Sequence, residues 1–305
     1  MFIVALPTEL LREIVWLYVF DTCLSDKDAD TQTLLTKPPW VLIEPLTVAS
    51  QRFRPLTLEA WFQTFTVRRP DWLLNLDAIP QVTTWARQVH CIDSDRALHQ
   101  DDPPWNLCNF GHITKLRLDV DPIDFEYRVR FLNVPPTLHE LQLCNHPELS
   151  PRVVKDIARV FPELRVLKLS QSTVWCGLCY TCNVPSFKAQ PPSPLIYTNG
   201  NGLPIHYNSA WSSLKHLHTV QLTLGYELDG ETSVDEENKN IWCGECDQCM
   251  SRMYPDEDFR MAWVHKKTSV LSRPPSLRRV EWRFKYLDLP VETVEAILDE
   301  AYENE

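Results

Sequence analysis

Glycine is nearly missing. The chain has seven in 305 residues, where about 7% of positions is usual, so neither a Gly-rich phosphate cradle nor a dinucleotide fingerprint can be assembled. Long hydrophobic runs are missing too: the best, Ile14–Phe20, falls far short of the roughly 20 residues that cross a bilayer. Basic charge is in deficit, with 30 Lys and Arg against 41 Asp and Glu giving a net charge of -11. Acidic runs stand at Asp26–Asp30, Asp235–Glu237 and Asp256–Asp258. A nucleic-acid binder needs a basic footprint to neutralise phosphates, and a membrane partner needs an apolar span or a basic amphipathic face, so neither is expected. No basic region precedes the first apolar residues, and Pro7 and Glu9 follow at once. A cleaved signal peptide is therefore not expected, and the expected address is a reducing one, cytoplasm or nucleus.

What is present is a globular composition, 44% hydrophobic and 23% charged, with 24 prolines that break it into many short elements. One motif is duplicated. Trp175-Cys176-Gly177-Leu178-Cys179-Tyr180-Thr181-Cys182 returns as Trp242-Cys243-Gly244-Glu245-Cys246-Asp247-Gln248-Cys249, so six of ten cysteines lie in two copies of W-C-G-x-C-x-x-C.

The N-terminal stretch Leu6-Pro7-Thr8-Glu9-Leu10-Leu11-Arg12-Glu13-Ile14 opens a helix: Pro7 presets the first turn and Glu9 sits where the helix dipole favours an anion. The helix is apolar nearly all round through Val19, so it needs its own domain on one side and something else on the other. An acidic segment over 21–44 interrupts, and a second helical stretch is expected over 46–65. The two pieces together resemble an F-box, L-P-x-E-L-L-x-x-I followed by V-S-x-x-W/F-x-x-L. The matching residues are Leu6, Pro7, Glu9, Leu10, Leu11 and Ile14, then Val48, Ser50, Phe53 and Leu56, with about twenty inserted residues between the halves. An ordinary helical hairpin is the plain alternative.

Downstream, a hexapeptide of the form L-x-x-L-x-L or a close variant recurs: Ala86–Cys91, Ile113–Leu118, Leu138–Leu143, Leu164–Leu169, Leu217–Leu222 and Leu277–Trp282. Its central residues, at 89, 116, 141, 167, 220 and 280, are 27, 25, 26, 53 and 60 apart. The first three gaps fall within the 20–29-residue period of leucine-rich repeats, and the last two are about double, as if each carried an insertion. Pro135-Pro136, Phe161-Pro162 and Pro274-Pro275 each end two residues before the first leucine, and Asn145 takes the family's polar position. Amphipathic strands in a mixed α/β domain would give the same alternation. The expected fold is α/β: a helical F-box-like module at 1–66, then an irregular leucine-rich-repeat solenoid at 67–305 with a parallel sheet and Cys-rich insertions at 170–212 and 225–270. Residues between the leucines, Arg117, Gln142, Lys168, Gln221 and Glu281, are expected on one exposed strip that binds a target. A linking helix is expected over 71–84 and a closing helix over 290–302.

For the cysteines the spacing admits several chemistries. W-C-G-x-C is also the thioredoxin pattern, but that motif occurs once per βαβ domain and carries no third cysteine. Pairs separated by two residues can place both thiolates on one ion, which makes Cys176, Cys179, Cys182, Cys243, Cys246 and Cys249 candidate ligands. Zinc, in a structural role, is the leading ion; an iron–sulfur cluster and a metal-free arrangement remain alternatives. Both insertions follow consecutive repeats, so all six thiols are expected in one small region. No Ser/His/Asp set or carboxylate pair stands out, and no catalytic residue is expected.

The resemblance to F-box proteins with leucine-rich repeats, a pattern similar to large sets of fungal proteins, implies a substrate-recognition adaptor of an SCF-type ubiquitin ligase. It implies that Leu6, Pro7, Leu10, Ile14, Val48 and Phe53 dock on the adaptor subunit of the cullin complex, that the repeat face holds a target protein, and that the chain itself is no enzyme. The alternative is a metal- or redox-dependent enzyme or sensor built on the two cysteine motifs.

Overall fold

In the computed structural model the described residues are 6–24, 38–73, 76, 79–93, 103–120, 130–146, 149, 151–182, 186–187, 194–198, 200–232, 242–269 and 273–286. Three helices come first: α1 (Thr8–Leu24), α2 (Trp40–Ala49) and α3 (Phe53–Trp61). One face of α1 presents Leu11, Val15 and Val19, four residues apart, which bury against Ile43 of α2 and Leu56 and Ala60 of α3. Spacing of four puts these side chains one above another on a helix. Ser50 ends α2 in an extended conformation, and its Oγ accepts the Phe53 N–H at 3.1 Å as α3 begins. The helical stretch expected over 46–65 is therefore two helices with a break, and its last residues belong to a strand.

That strand is β1 (Thr64–Val67). A 3-10 turn at Pro70–Leu73 and a single helical turn, α4 (Val82–Trp85), stand where a linking helix was expected. Then follow β2 (Gln88–Asp93), β3 (Trp105–Asn106), β4 (Lys115–Val120), β5 (Phe131–Leu132), β6 (Glu140–His146), α5 (Pro151–Val160), β7 (Val166–Gln171), β8 (Ser186–Phe187), β9 (Leu195–Thr198), α6 (Ile205–Trp211), β10 (Thr219–Thr232), α7 (Asp247–Met253), α8 (Glu257–Thr268) and β11 (Arg279–Tyr286). The closing helix expected over 290–302 lies outside the described residues.

The chain is mixed α/β with a mostly parallel sheet in the order β1-β2-β4-β6-β7-β10-β11-β9, and β8 pairs with β10 off this path. All six recurring hexapeptides feed strands of this sheet, in sequence order. Each centre, Val89, Leu116, Leu141, Leu167, Val220 and Val280, is fully buried. A shared local device sets five of the six starts. Five times an N–H closes a turn onto the carbonyl three residues back: Ile113 on Phe110, Leu138 on Pro135, Leu164 on Phe161, Leu217 on Leu214 and Leu277 on Pro274. The donor residue is buried every time. Two consecutive N–H groups then donate to one carbonyl of the preceding strand's start, as Thr114 and Lys115 do to Arg87, and His139 and Glu140 to Thr114. Proline suits such turns because its φ is fixed and it has no N–H to leave unpaired.

By compactness the chain forms two units. One holds the described residues up to Cys144 together with Asp156–Leu167; the other holds Asn145–Lys155 and the residues from Lys168 onward. In the first, the register runs Val67, Cys91, Leu118, Leu143 across four parallel strands, all buried. In the second, Val220 faces Val280 and Leu222 faces Trp282, while β9 adds antiparallel to β11. Trp211 of α6 is fully buried there, its Nε1–H donating to the Val154 carbonyl at 2.8 Å.

The residues between the buried ones do not form the exposed strip expected of them. Gln142 and Glu281 are buried, and Arg117, Lys168 and Gln221 are half-buried. Same-face neighbours on pleated strands lie close enough for long polar side chains to engage one another. Arg117 donates to Asp119 from Nε at 2.6 Å and Nη2 at 2.9 Å, and His90 Nε2 meets the same carboxylate at 2.9 Å. Glu281 sits between Arg279 (2.8 Å) and Arg283 (2.7 Å), and Gln142 donates to Cys144 Sγ. Asn145, expected at the polar position after the strand's last leucine, is exposed in a left-handed conformation, φ 61°, which asparagine tolerates.

Burial alone would raise the Asp119 pKa, but the hydrogen bonds from His90 and Arg117 hold it below the ordinary carboxylate value. A depressed folded-state pKa contributes stability that is present above the unfolded value and is lost as pH falls through the folded one. Asp119→Asn is expected to lower the urea midpoint at neutral pH, with the gap to the wild type closing as the medium is acidified below the usual carboxylate range. A gap that stays constant down to strong acid would refute this.

Candidate metal centre

The first cysteine motif begins shortly after β7 ends, at Trp175. Cys176 N–H donates to the Cys182 carbonyl at 2.7 Å and Tyr180 N–H to the Cys176 carbonyl at 3.0 Å, so the loop closes on itself. Tyr180 holds a left-handed φ of 61° in that closure. The second motif leads into α7: Cys246 is the residue that caps it, and Cys249 stands in its first turn.

The two motifs meet glycine to glycine. Gly177 N–H donates to the Gly244 carbonyl at 2.9 Å, and Cys246 N–H reaches Cys176 Sγ at 3.3 Å. A Cβ on Gly177 would lie 2.9 Å from the Cys243 carbonyl, whereas Gly244 has a φ of 81°. One glycine therefore permits close approach and the other a left-handed turn. Trp242 closes the far side, buried, with its Nε1–H on the Glu245 carbonyl and its ring 4.8 Å from that of Trp282.

Five thiols converge. Cys176, Cys246 and Cys249 have sulfurs within 4.8 Å of one another, and so do Cys179, Cys182 and Cys249. Cysteines 67 positions apart are thus brought together, as expected from their place after consecutive repeats. The sixth does not join. Cys243 is buried, but among the described residues it belongs to neither triad. Its N–H is bound by a Glu245 carboxylate oxygen. The other Glu245 oxygen pairs with the Lys267 ammonium, which in turn donates to Tyr254 Oη at 3.0 Å. Glu245 is fully buried and Lys267 nearly so. Nothing in W-C-G-x-C-x-x-C signalled this; the clue was a glutamate inside the second copy, whose partner on α8 only the fold reveals. His216 and His218 lie outside both triads as well.

Thiolate character is uneven. Burial pushes the Cys179 thiol up, but hydrogen bonds donated to its sulfur by the Thr181 hydroxyl and the Thr181 and Cys182 N–H groups outweigh that and bring it down to about 6. Cys246 is pushed up to about 12, first by burial, against the hydrogen bond from the Cys249 N–H. Cys243 is likewise pushed up to about 12, by burial and then by the Glu245 charge. Cys249 is raised by burial and by thiol contacts with Cys246 and Cys179. Such a group of soft donors is chemically matched to a thiophilic ion, which binds the deprotonated forms and relieves their mutual repulsion. These cysteine clusters can hold a metal ion.

No family model, curated protein or solved structure matches this chain, so its own geometry carries the functional reading. The docking residues expected from the N-terminal motif are placed unequally. Leu6, Pro7, Leu10, Ile14 and Val48 are exposed, whereas Phe53 is half-buried against the helical cluster. No described helix is long and apolar enough to cross a membrane.

Burial alone would push the Lys267 ammonium down, but the Cys243 and Glu245 charges hold it above its ordinary value. Removing one partner of a buried pair strands the other charge, at a cost of about 3–5 kcal/mol. Lys267→Met is expected to destabilise the protein by about that much in denaturant unfolding, and Glu245→Gln added to Lys267→Met to recover most of it. Equal losses in the single and double variants would show that the pair is not coupled. Gly177→Ala is expected to lower the unfolding midpoint too, since its Cβ would press on a backbone carbonyl that cannot swing away.

Proposed function

We propose that this chain is the substrate-recognition adaptor of an SCF-type ubiquitin ligase, with α1–α3 as an F-box and the recurring strands as an irregular leucine-rich-repeat solenoid that receives the target. The observation that supports this best is the outer face of the N-terminal helices. Leu6, just before α1, and Leu10, Ile14 and Leu17 along it are 47–55% exposed, while Leu11, Val15 and Val19 of the same helix are buried. Val41 and Val48 of α2 add 68% and 74% exposure. Large apolar side chains exposed in this number on two packed helices are costly in water and mark a protein interface. Each such side chain contributes on the order of 1.5–3 kcal/mol when buried by a partner, before association costs are subtracted.

In this reading Leu6, Pro7, Leu10, Ile14 and Val48 touch the ligase's small adaptor subunit, and Phe53 supports them from within the helical cluster. The target-holding strip is narrower than Arg117, Gln142, Lys168, Gln221 and Glu281 together. Arg117 in the first unit and Lys168 and Gln221 in the second are half-buried and so accessible to the target, whereas Gln142 and Glu281 are buried. The chain does no chemistry itself; other subunits of the cullin complex transfer ubiquitin, in cytoplasm or nucleus. The cysteine clusters take zinc in a structural role, since thiolate sulfur suits a d10 ion without redox chemistry. The zinc then clasps two long excursions of the chain together.

Affinity purification of the tagged chain is expected to bring down the small adaptor subunit and the cullin. The double variant Leu10→Asp, Ile14→Asp should lose both while keeping the wild-type circular dichroism spectrum, because both positions are exposed. Retention of the adaptor subunit by that variant, or its absence with the wild type, would sink the proposal.

A further inference from the structure

We propose that the cysteine clasp is a binuclear thiolate site: Cys249 bridges two zinc-class divalent ions, Cys176 and Cys246 completing the protein ligands of one, and Cys179 and Cys182 those of the other. This rests on the metal reading above and goes beyond it in ligand assignment and stoichiometry.

The partition of the sulfurs is the first argument. A single tetrahedral ion with Zn–S bonds of about 2.3 Å needs four sulfurs all mutually about 3.8 Å apart. The described thiols fall instead into two triads, each mutually within 4.8 Å, sharing Cys249 alone. One shared corner between two groups of three is the arrangement a bridging thiolate requires.

The sixth cysteine supplies the second argument. A duplicated C-G-x-C-x-x-C would by symmetry offer three ligands from each copy. The copies are not used alike: the Cys243 backbone is tied to Glu245, and the Glu245–Lys267 pair is buried beside it. The copies differ at all three variable positions, and the difference that touches Cys243 is the residue after the glycine, Leu178 in one and Glu245 in the other. Cys243 is thereby a packed thiol, and the third cysteine of each copy has a use that one ion held by four thiolates would leave unexplained.

Charge gives the third. Four thiolates on one divalent ion leave a net charge of about -2 beside a fifth, unligated thiol. Five thiolates on two divalent ions leave about -1, and two monovalent ions would leave about -3. Cys176 and Cys246 are buried, and the nearby Lys267 is committed to Glu245. At the buried Cys176 and Cys246 end water compensates charge poorly, which favours the assembly with the smaller residual charge and so two divalent ions. Each ion draws on both excursions, Cys176 against Cys246 and Cys249, and Cys179 and Cys182 against Cys249.

Zinc content of the full-length chain, by native mass spectrometry and elemental analysis after saturation with zinc and removal of excess, tests this without any variant. Two ions per chain are expected. One ion overturns the binuclear assignment and leaves the zinc reading standing; none overturns both. Variants locate the ions: Cys182→Ser, at a half-buried position, is expected to reduce two ions to one, and Cys249→Ser to weaken both. Cys243→Ser should keep two, and if it removes one, the assignment of Cys243 as a packed thiol is wrong. Should Cys249→Ser fail to fold, cobalt(II) titration of the wild type decides: the thiolate-to-metal charge-transfer band is expected to rise to two equivalents. Saturation at one overturns the proposal.

Discussion

A turn closed just before five of its strands is the constraint on which the sheet depends. Ile113, Leu138, Leu164, Leu217 and Leu277 each donate to the carbonyl three residues back and bury their side chains in the same step. Parallel strands cannot be joined by tight hairpins, so every connection must travel away and return to the same side of the sheet. A fixed turn with a buried anchor gives each return the same starting point, and the alternation that follows puts Leu116, Leu141, Val220 and their equivalents into the core without a register slip. Connections of very different length can then be tolerated, because the strand start is specified locally and the closure entropy of a loop grows only slowly with length.

The two longest excursions show what that tolerance allows. They leave β7 and β10, which are neighbours in the sheet, and they meet again through the Gly177 to Gly244 backbone hydrogen bond and the Cys246 N–H on the Cys176 sulfur. In a chain with seven glycines, two placed where a side chain would obstruct or strain the backbone mark that contact as specified. The thiols gather around it. Close by, Glu245 and Lys267 form a buried ion pair whose desolvation is offset only because the Cys243 N–H and the Tyr254 hydroxyl complete its hydrogen bonding. One copy of the duplicated motif gives all three of its cysteines to the thiol cluster, and the other divides its cysteines between that cluster and a polar brace.

Much of the fold was legible along the chain. Six strands follow from a hexapeptide whose buried centres recur, since a period of two with a proline-marked turn is a local property. The first helix follows from Leu6 to Val19 for the same reason. The two outer strands were not legible. β1 reads Thr-Phe-Thr-Val directly after a helix, and β9 is a short Leu-Ile-Tyr-Thr run that pairs antiparallel; each is fixed by the neighbour it meets, β2 and β11. The strip between the leucines was misjudged because alternation tells which side of the strand faces the core but not what covers the other side. Gln142 and Glu281 are buried by neighbours on the same face.

The duplicated W-C-G-x-C-x-x-C determined by itself that cysteines would be concentrated, and the repeat spacing determined that the copies would leave adjacent strands. Those are statements about residue type and interval, which a linear chain fixes. Which sulfurs meet was decided by the tertiary structure. Cys243 and Cys176 hold the same place in their motifs, yet Cys176 joins Cys246 and Cys249 while Cys243 lies with Glu245 and Lys267. The difference comes from a lysine on α8, distant in sequence, because a buried carboxylate must find a cation wherever the fold brings one.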